Sequence, residues 1–156
     1  MRIACVVEYD GAAFRGWQTQ ASGRTVQSVL EGALAAVADA RVRVTCAGRT
    51  DTGVHATGQV VHFDTAAKRP DRAWLMGTNS HLPRDVAVRS AGPTAATFHA
   101  RRSAIQRRYR YLLFEGRDRP ALWRDRAGWT HDRLDTAAMQ AGADRLLGER
   151  DFSAFR

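Results

Sequence analysis

The sequence predicts an α+β fold: a ferredoxin-like βαββαβ unit with an antiparallel sheet and both helices on one face, followed by the start of a second α+β half. Three observations carry this. Short β-type apolar runs at 3–9, 42–47, 59–63 and 85–89 are separated by glycine, proline and acidic residues. Between the first two runs, Val26, Val29, Leu30, Ala33, Leu34 and Val37 recur at helical spacing, and a weaker helical pattern around Trp74 and Leu75 separates the last two. Alternation then resumes at Ser103, opening a new set of elements. The order β, α, β, β, α, β is that of the split βαβ unit. Residues 1–98 are read as that unit and 99–156 as the first strand and helix of an incomplete second half.

The strand at 3–9 is apolar enough to be expected buried on both faces. Asp10 and Gly11 then open a loop that carries Phe14, Arg15, Trp17, Gln18 and Arg24. Two readings of it stand: the aromatics anchor the loop on the core, or the loop grips RNA, with arginine on phosphate and Trp17 or Phe14 against sugar or base. Thr25 is the expected N-cap of the first helix. Pro70 suits the first position of the second helix, which should stop near Leu82 and Pro83. Residues 91–97 read as a loop.

From Ser103 to Phe114 the period is two, so Ile105, Arg107, Tyr109, Tyr111 and Leu113 would share one face of a strand. Tyr111 reads as a core residue. His99, Arg101 and Arg102 precede this run, and basic residues interleaved with aromatics favour nucleic-acid contact. After a polar turn at 117–120, Trp123 and Trp129 flank further arginines. A helix is expected from Arg133, with Leu134, Ala137, Ala138, Ala141 and Leu146 on one stripe and Gly148 ending it. The closing residues DFSAFR begin another element, and a longer natural protein is expected.

A chain of 156 residues with 44% hydrophobic and 26% charged content has the make-up of one ordinary globular core. The net charge of +8 points to a polyanionic partner, since each cation placed on a phosphate releases a counterion. Lys68 is the only lysine, so the charge is arginine, whose planar fork suits phosphates and bases. Cys5 and Cys46 sit in separate apolar runs and read as buried thiols of a reduced, cytoplasmic compartment. No run approaches the roughly 20 apolar residues of a membrane span, and the acidic residues Glu8 and Asp10 come too early for a signal peptide. The five histidines lack paired-ligand spacing, and no phosphate-binding glycine motif occurs, so neither metal nor nucleotide cofactor is expected.

The stretch AGRTDTGVHATGQVVHFD, residues 47–64, reads as strand, functional loop, strand. Gly48, Gly53 and Gly58 surround Arg49, Asp51 and His55. A carboxylate is ionised at neutral pH and can serve as nucleophile or base; Arg49 could orient Asp51, or Asp51 could simply bond its own backbone in an Asx turn. His55 reads as a local hydrogen-bonder.

This stretch closely resembles the catalytic motif of the TruA-type tRNA pseudouridine synthases, which isomerise uridine in the anticodon stem-loop of tRNA. EYDGAAFRGWQ, FHARRSAIQRRYRY and LLGERDFSAFR resemble further segments of that family in the same order. The resemblance implies Asp51 as the indispensable catalytic carboxylate and Tyr109 as the tyrosine against the target base. It also implies tRNA contact in the loop of Phe14, Arg15, Trp17 and Arg24, uridines 38 to 40 as targets, and a homodimer. In that setting Arg49 would fill the space left by the flipped base or hold the flanking backbone, and Arg101 would contact RNA. On residues alone, a non-catalytic RNA-binding module and a hydrolase of a nucleic-acid glycosidic bond remain open.

Overall fold

The computed structural model describes residues 1–155. Contacts group the chain into two units, Met1–Tyr109 and Arg110–Arg156. Segment 99–109 thus packs with the first unit, because the Ala100 N–H bonds His62 Nδ1 at 3.1 Å and Arg107 reaches the Ala47 carbonyl.

In the first unit, β1 (Arg2–Tyr9), β2 (Thr45–Cys46), β3 (Ala56–Asp64) and β4 (Val86–Thr94) form one antiparallel sheet in the order β2-β3-β1-β4. This is the split βαβ order predicted above. Alternate residues Ile3, Cys5, Val7 and Tyr9 of β1 are buried against the helix α1 (Val26–Ala38), Val61, Phe63 and Trp74. The intervening Arg2, Ala4, Val6 and Glu8 are only half-buried, so one face of β1 is sealed rather than both. The run reads as doubly buried because Ala4 and Val6 are apolar, yet the helices cover a single side.

Thr25 caps α1 by accepting the Ser28 N–H, and Asp39 closes it in the left-handed region at φ 52°. The second helical stretch contains a π-helical turn, Ala73–Gly77, ahead of the α-helix α2 (Thr78–His81). Trp74 on that turn is fully buried and meets Phe63 edge-on at 5.3 Å. Among the described residues no helix is long and apolar enough to cross a membrane.

Three expected boundaries differ. The strand expected over 42–47 is only Thr45–Cys46, because the Val44 N–H bonds Glu31 Oε1 instead of a ladder carbonyl; Val42 and Val44 are buried all the same. The strand expected to stop at 89 runs on to Thr94, past a register shift opposite Val6 and Val7 and through Pro93, which an edge strand tolerates. The long strand expected over 103–114 is paired only at β5 (Leu113–Glu115). Its residues 103–112 have no ladder partner among the described residues, and Ile105 is fully exposed.

The second unit pairs β5 in parallel with β6 (Gly128–Thr130), with a short 3₁₀ turn at Ala121–Trp123 between them. The helix α3 (Thr136–Asp144) starts at the N-cap Asp135, later than expected, and Gly148 at φ 89° follows its last turn. None of the residues of α3 is buried.

Cys5 and Cys46 are free and buried, on strands separated by β3, where both lie in register with Val61. Burial pushes the Cys5 thiol up to about 12, which makes it inert.

Candidate active site

The loop between β2 and β3 is held by hydrogen bonds to its backbone at Ala47, Gly48, Thr50, Asp51, Gly53 and Val54. Gln59, buried on β3, brackets Gly48: its amide donates to the Gly48 carbonyl, and its carbonyl lies 3.4 Å from the Gly48 N–H. The Thr50 carbonyl accepts the Trp17 N–H at 2.9 Å, and the Thr50 hydroxyl meets the Tyr9 hydroxyl at 2.7 Å. The Val54 N–H returns to the Asp51 carbonyl at 3.2 Å, with Gly53 at φ 80° in the third position of that turn, where a type II turn requires positive φ. His55 Nδ1 lies 3.1 Å from the Gly11 N–H and 3.0 Å from Asp10 Oδ1, a local role as expected.

Two side chains of this loop are left over. Asp51 is exposed and its carboxylate makes no hydrogen bond or ion pair among the described residues, so the Asx turn is not formed. Arg49 is exposed and likewise uncommitted; no ion pair joins it to Asp51. The sequence reading that Arg49 orients Asp51 by direct pairing is therefore corrected. The turn holds the carboxylate out on a rigid backbone.

The preceding loop packs under this one. A methyl placed on Gly11 would lie 2.0 Å from the Val54 carbonyl oxygen, an impossible contact, so only glycine lets the two loops meet. Gly11→Ala is expected to destabilise the protein by about 2–3 kcal/mol through overpacking. Gly53→Ala, with open space around it, should cost only about 1 kcal/mol for its positive φ. Denaturant titration of the two variants checks the order, and equal losses would mean that the loops do not touch as described.

Phe14 and Trp17 are 2% and 1% exposed, so they are anchors of this loop rather than surfaces for a base. The direct RNA contact expected of them is corrected: Trp17 turns inward onto Tyr9, with ring centroids 5.9 Å apart. Arg24 is also committed. It forms a two-pronged ion pair with Asp85, at 2.6 and 2.8 Å, and its guanidinium lies 4.1 Å above the Phe14 ring. Arg15 remains exposed, with its guanidinium 3.5 Å from the Ser22 hydroxyl.

The Arg24 guanidinium holds the Asp85 carboxyl below the ordinary carboxylate range. Its folded pKa is lower than its unfolded one, so the pair's stabilisation is complete above the ordinary range and is lost as pH falls through the depressed value. Asp85→Asn is therefore expected to cost about 1 kcal/mol at neutral pH for this half-exposed pair. The gap from wild type should close in acid; a constant gap in denaturation from neutral pH downward would exclude this origin.

Beside the loop lies a groove of about 380 Å³, lined by Gln18, Thr45, Arg49, His99, Arg101 and Arg102 among others, with no carboxylate in its wall. Burial raises the Cys46 thiol, and the nearby Arg101 guanidinium works in the opposite direction. No ion pair engages any of the three arginines among the described residues, so the groove is open to an anion. Tyr109 is 73% exposed, and its hydroxyl would lie 3.6 Å from a methyl on Gly48, so its ring stands free next to the loop.

Gln59, Tyr9 and Arg107 were not singled out from sequence. Gln59 is in phase with buried Val61 and Phe63, and Tyr9 with Ile3, Cys5 and Val7; a polar atom on a buried register was the available signal. Among the described residues no cluster of three or more His, Cys, Asp or Glu side chains comes together.

Residues 5–101 match the sequence family described as tRNA pseudouridine synthase. The chain is 60% identical over 156 residues to the tRNA pseudouridine synthase A of Dechloromonas aromatica strain RCB, covering 100% of this chain and 60% of that protein. It is 56% identical to the same-named protein of Alcanivorax borkumensis, covering 99% of this chain and 58% of that one. The corresponding protein of Coxiella burnetii strain Dugway 5J108-111 is 53% identical over 155 residues, with coverage of 99% and 59%. The chain thus spans about 60% of the length of the curated relatives it matches.

Proposed function

This chain belongs to the tRNA pseudouridine synthase family, and from that premise we propose that the protein converts uridine to pseudouridine in the anticodon stem-loop of tRNA, at positions 38 to 40, with Asp51 as the reacting carboxylate. One observation carries the reading: backbone hydrogen bonds hold the loop on either side of Asp51 while its carboxylate is exposed and has no partner among the described residues. Preorganised groups of this kind need no rearrangement at the moment of reaction.

The reaction breaks the bond from ribose C1′ to uracil N1, turns the base and joins C1′ to C5. C5 gives up its hydrogen as a proton and N1 gains one, so no oxidant, reductant or cofactor is required. Asp51 can contribute by attack at C1′, by attack at C6 or by taking a ribose proton, and each route uses the ionised form.

The target uridine must first leave its stack, at a cost on the order of a few kcal/mol. The exposed ring of Tyr109 supports a stacking role against the flipped base, Arg49 fits the vacated space or the adjoining backbone, and the groove of Arg49, Arg101 and Arg102 fits phosphate. Arg15 extends the basic surface. The proposed setting is the cytoplasm, with a homodimer as the working form.

Incubation of an unmodified tRNA transcript with the full-length protein, followed by chemical mapping, is expected to reveal pseudouridine in the anticodon stem-loop. An unmodified product, or modification confined to other regions, would overturn the assignment. Binding should weaken steeply with salt, and Arg101→Gln and Arg102→Gln should each lower the log–log salt slope by about 1, the loss of one phosphate contact apiece. An unchanged slope would remove the groove from the RNA path.

A further inference from the structure

Segment 103–109 brings Tyr109 to the loop without joining a sheet among the described residues. Backbone pairing therefore does not fix the ring, and a side chain ties the segment to the loop instead. Arg107 donates from Nε and Nη2 to the Ala47 carbonyl, at 3.2 and 2.9 Å, and from Nη2 to the Arg101 carbonyl at 3.1 Å. Ala47 is the residue from which the loop departs β2, and Arg101 lies in the groove wall. A methyl on Gly48 would lie 3.4 Å from Arg107 Nε and 3.6 Å from the Tyr109 hydroxyl, so guanidinium and phenol flank the same glycine, three residues before Asp51.

We infer that Arg107 is the positioning residue that sets Tyr109 against the Asp51 loop, through a guanidinium shared between the Ala47 and Arg101 carbonyls. The inference rests on the functional reading above, since Tyr109 acts there as the stacking platform. Arg107 is exposed and basic, and a phosphate contact is the ordinary expectation for such a residue in this chain. Its Nε and Nη2 donors are instead used on two main-chain carbonyls. Charge alone does not reproduce this: Nη2 meets both carbonyls while Nε holds the Ala47 carbonyl a second time, a two-nitrogen grip in one plane that a lysine, with its three donors on a single rotating nitrogen, does not offer.

The test is a set of substitutions in the full-length protein, Arg107→Lys and Arg107→Gln, each made with Tyr109 intact and in a Tyr109→Leu background. Pseudouridine formation, tRNA affinity at fixed salt and Tm are measured, with Asp51→Asn as the blank. With Tyr109 intact, Arg107→Lys is expected to lower kcat about tenfold while Kd moves by less than about twofold; with Leu at 109, the same change should cost less than about twofold. Arg107→Gln should show the same dependence on the background.

Wild-type kcat in Arg107→Lys would overturn the assignment. So would a loss confined to affinity, which marks a phosphate contact, or an equal fractional loss in the two backgrounds. A fall in Tm of more than about 5 °C with loss of binding would make Arg107 a fold residue, against the proposal. An inactive wild type sinks the functional reading and this inference with it, whereas an active wild type with an indifferent Arg107→Lys sinks the positioning role alone.

Discussion

Asp51→Asn is expected to leave the protein folded and tRNA bound while pseudouridine formation falls by at least about 10³-fold, the scale of removing a group on which the chemical step depends. The substitution keeps the side chain's size. Because the carboxylate is exposed and holds no hydrogen bond or ion pair among the described residues, stability should change by less than about 0.5 kcal/mol. The Val54 N–H to Asp51 carbonyl bond is a main-chain contact and survives the change. Affinity for tRNA should hold or rise, since a negative charge is removed from beside a polyanion. Turnover within tenfold of wild type would take Asp51 out of the chemistry, and a marked drop in Tm would show that its carboxylate is structural.

Trp17→Ala is expected to lose about 3–5 kcal/mol of stability, the range for truncating a fully buried large aromatic. Trp17 is sealed at 1% exposure and packs on Tyr9, whose hydroxyl meets the Thr50 hydroxyl one residue before Asp51; the Trp17 main-chain N–H bond to the Thr50 carbonyl survives the substitution. Activity should fall because the reactive loop loses its floor, and Trp17→Phe should restore most of both properties. Denaturant unfolding beside tRNA affinity separates this from a stacking role. A Trp17→Ala protein with wild-type stability but weakened tRNA binding would mean that the indole meets the nucleic acid directly.

The contrast between Trp17 and Tyr109 explains how much of the site was legible. Both are aromatics next to arginines; Trp17 reads equally as a core anchor or an RNA contact, and Tyr109 is placed against the base by the resemblance, since only the fold tells which side of the backbone a loop residue occupies. Trp17 and Phe14 turned inward because Gly11 lets their loop sit directly on Val54. Arg24 was lost to Asp85, 61 positions away, a pairing that no local pattern encodes. Asp51 is singled out through the resemblance: the residues alone fit an Asx turn as well, and only the fold, which leaves the carboxylate without a partner among the described residues, separates the two readings.

The fold was legible wherever periodicity is local. The α1 stripe, its Thr25 cap and the βαββαβ order all follow from spacing within single elements. Strand ends did not, because a strand is defined by its partner. Val42 lies in a β-type run, yet Glu31 captures the neighbouring Val44 N–H. Residues 91–97 read as a loop, yet the strand runs on to Thr94, and its edge position accommodates Pro93. Residues 103–112 alternate well and still join no ladder among those described.

The measurement closest to the central claim follows the hydrogen on uridine C5. A tRNA labelled there with tritium and incubated with the full-length protein is expected to release label to water in step with the appearance of pseudouridine, with no free uracil, and Asp51→Asn is expected to release none. Free uracil that retains its label, or undiminished release by Asp51→Asn, would contradict the account.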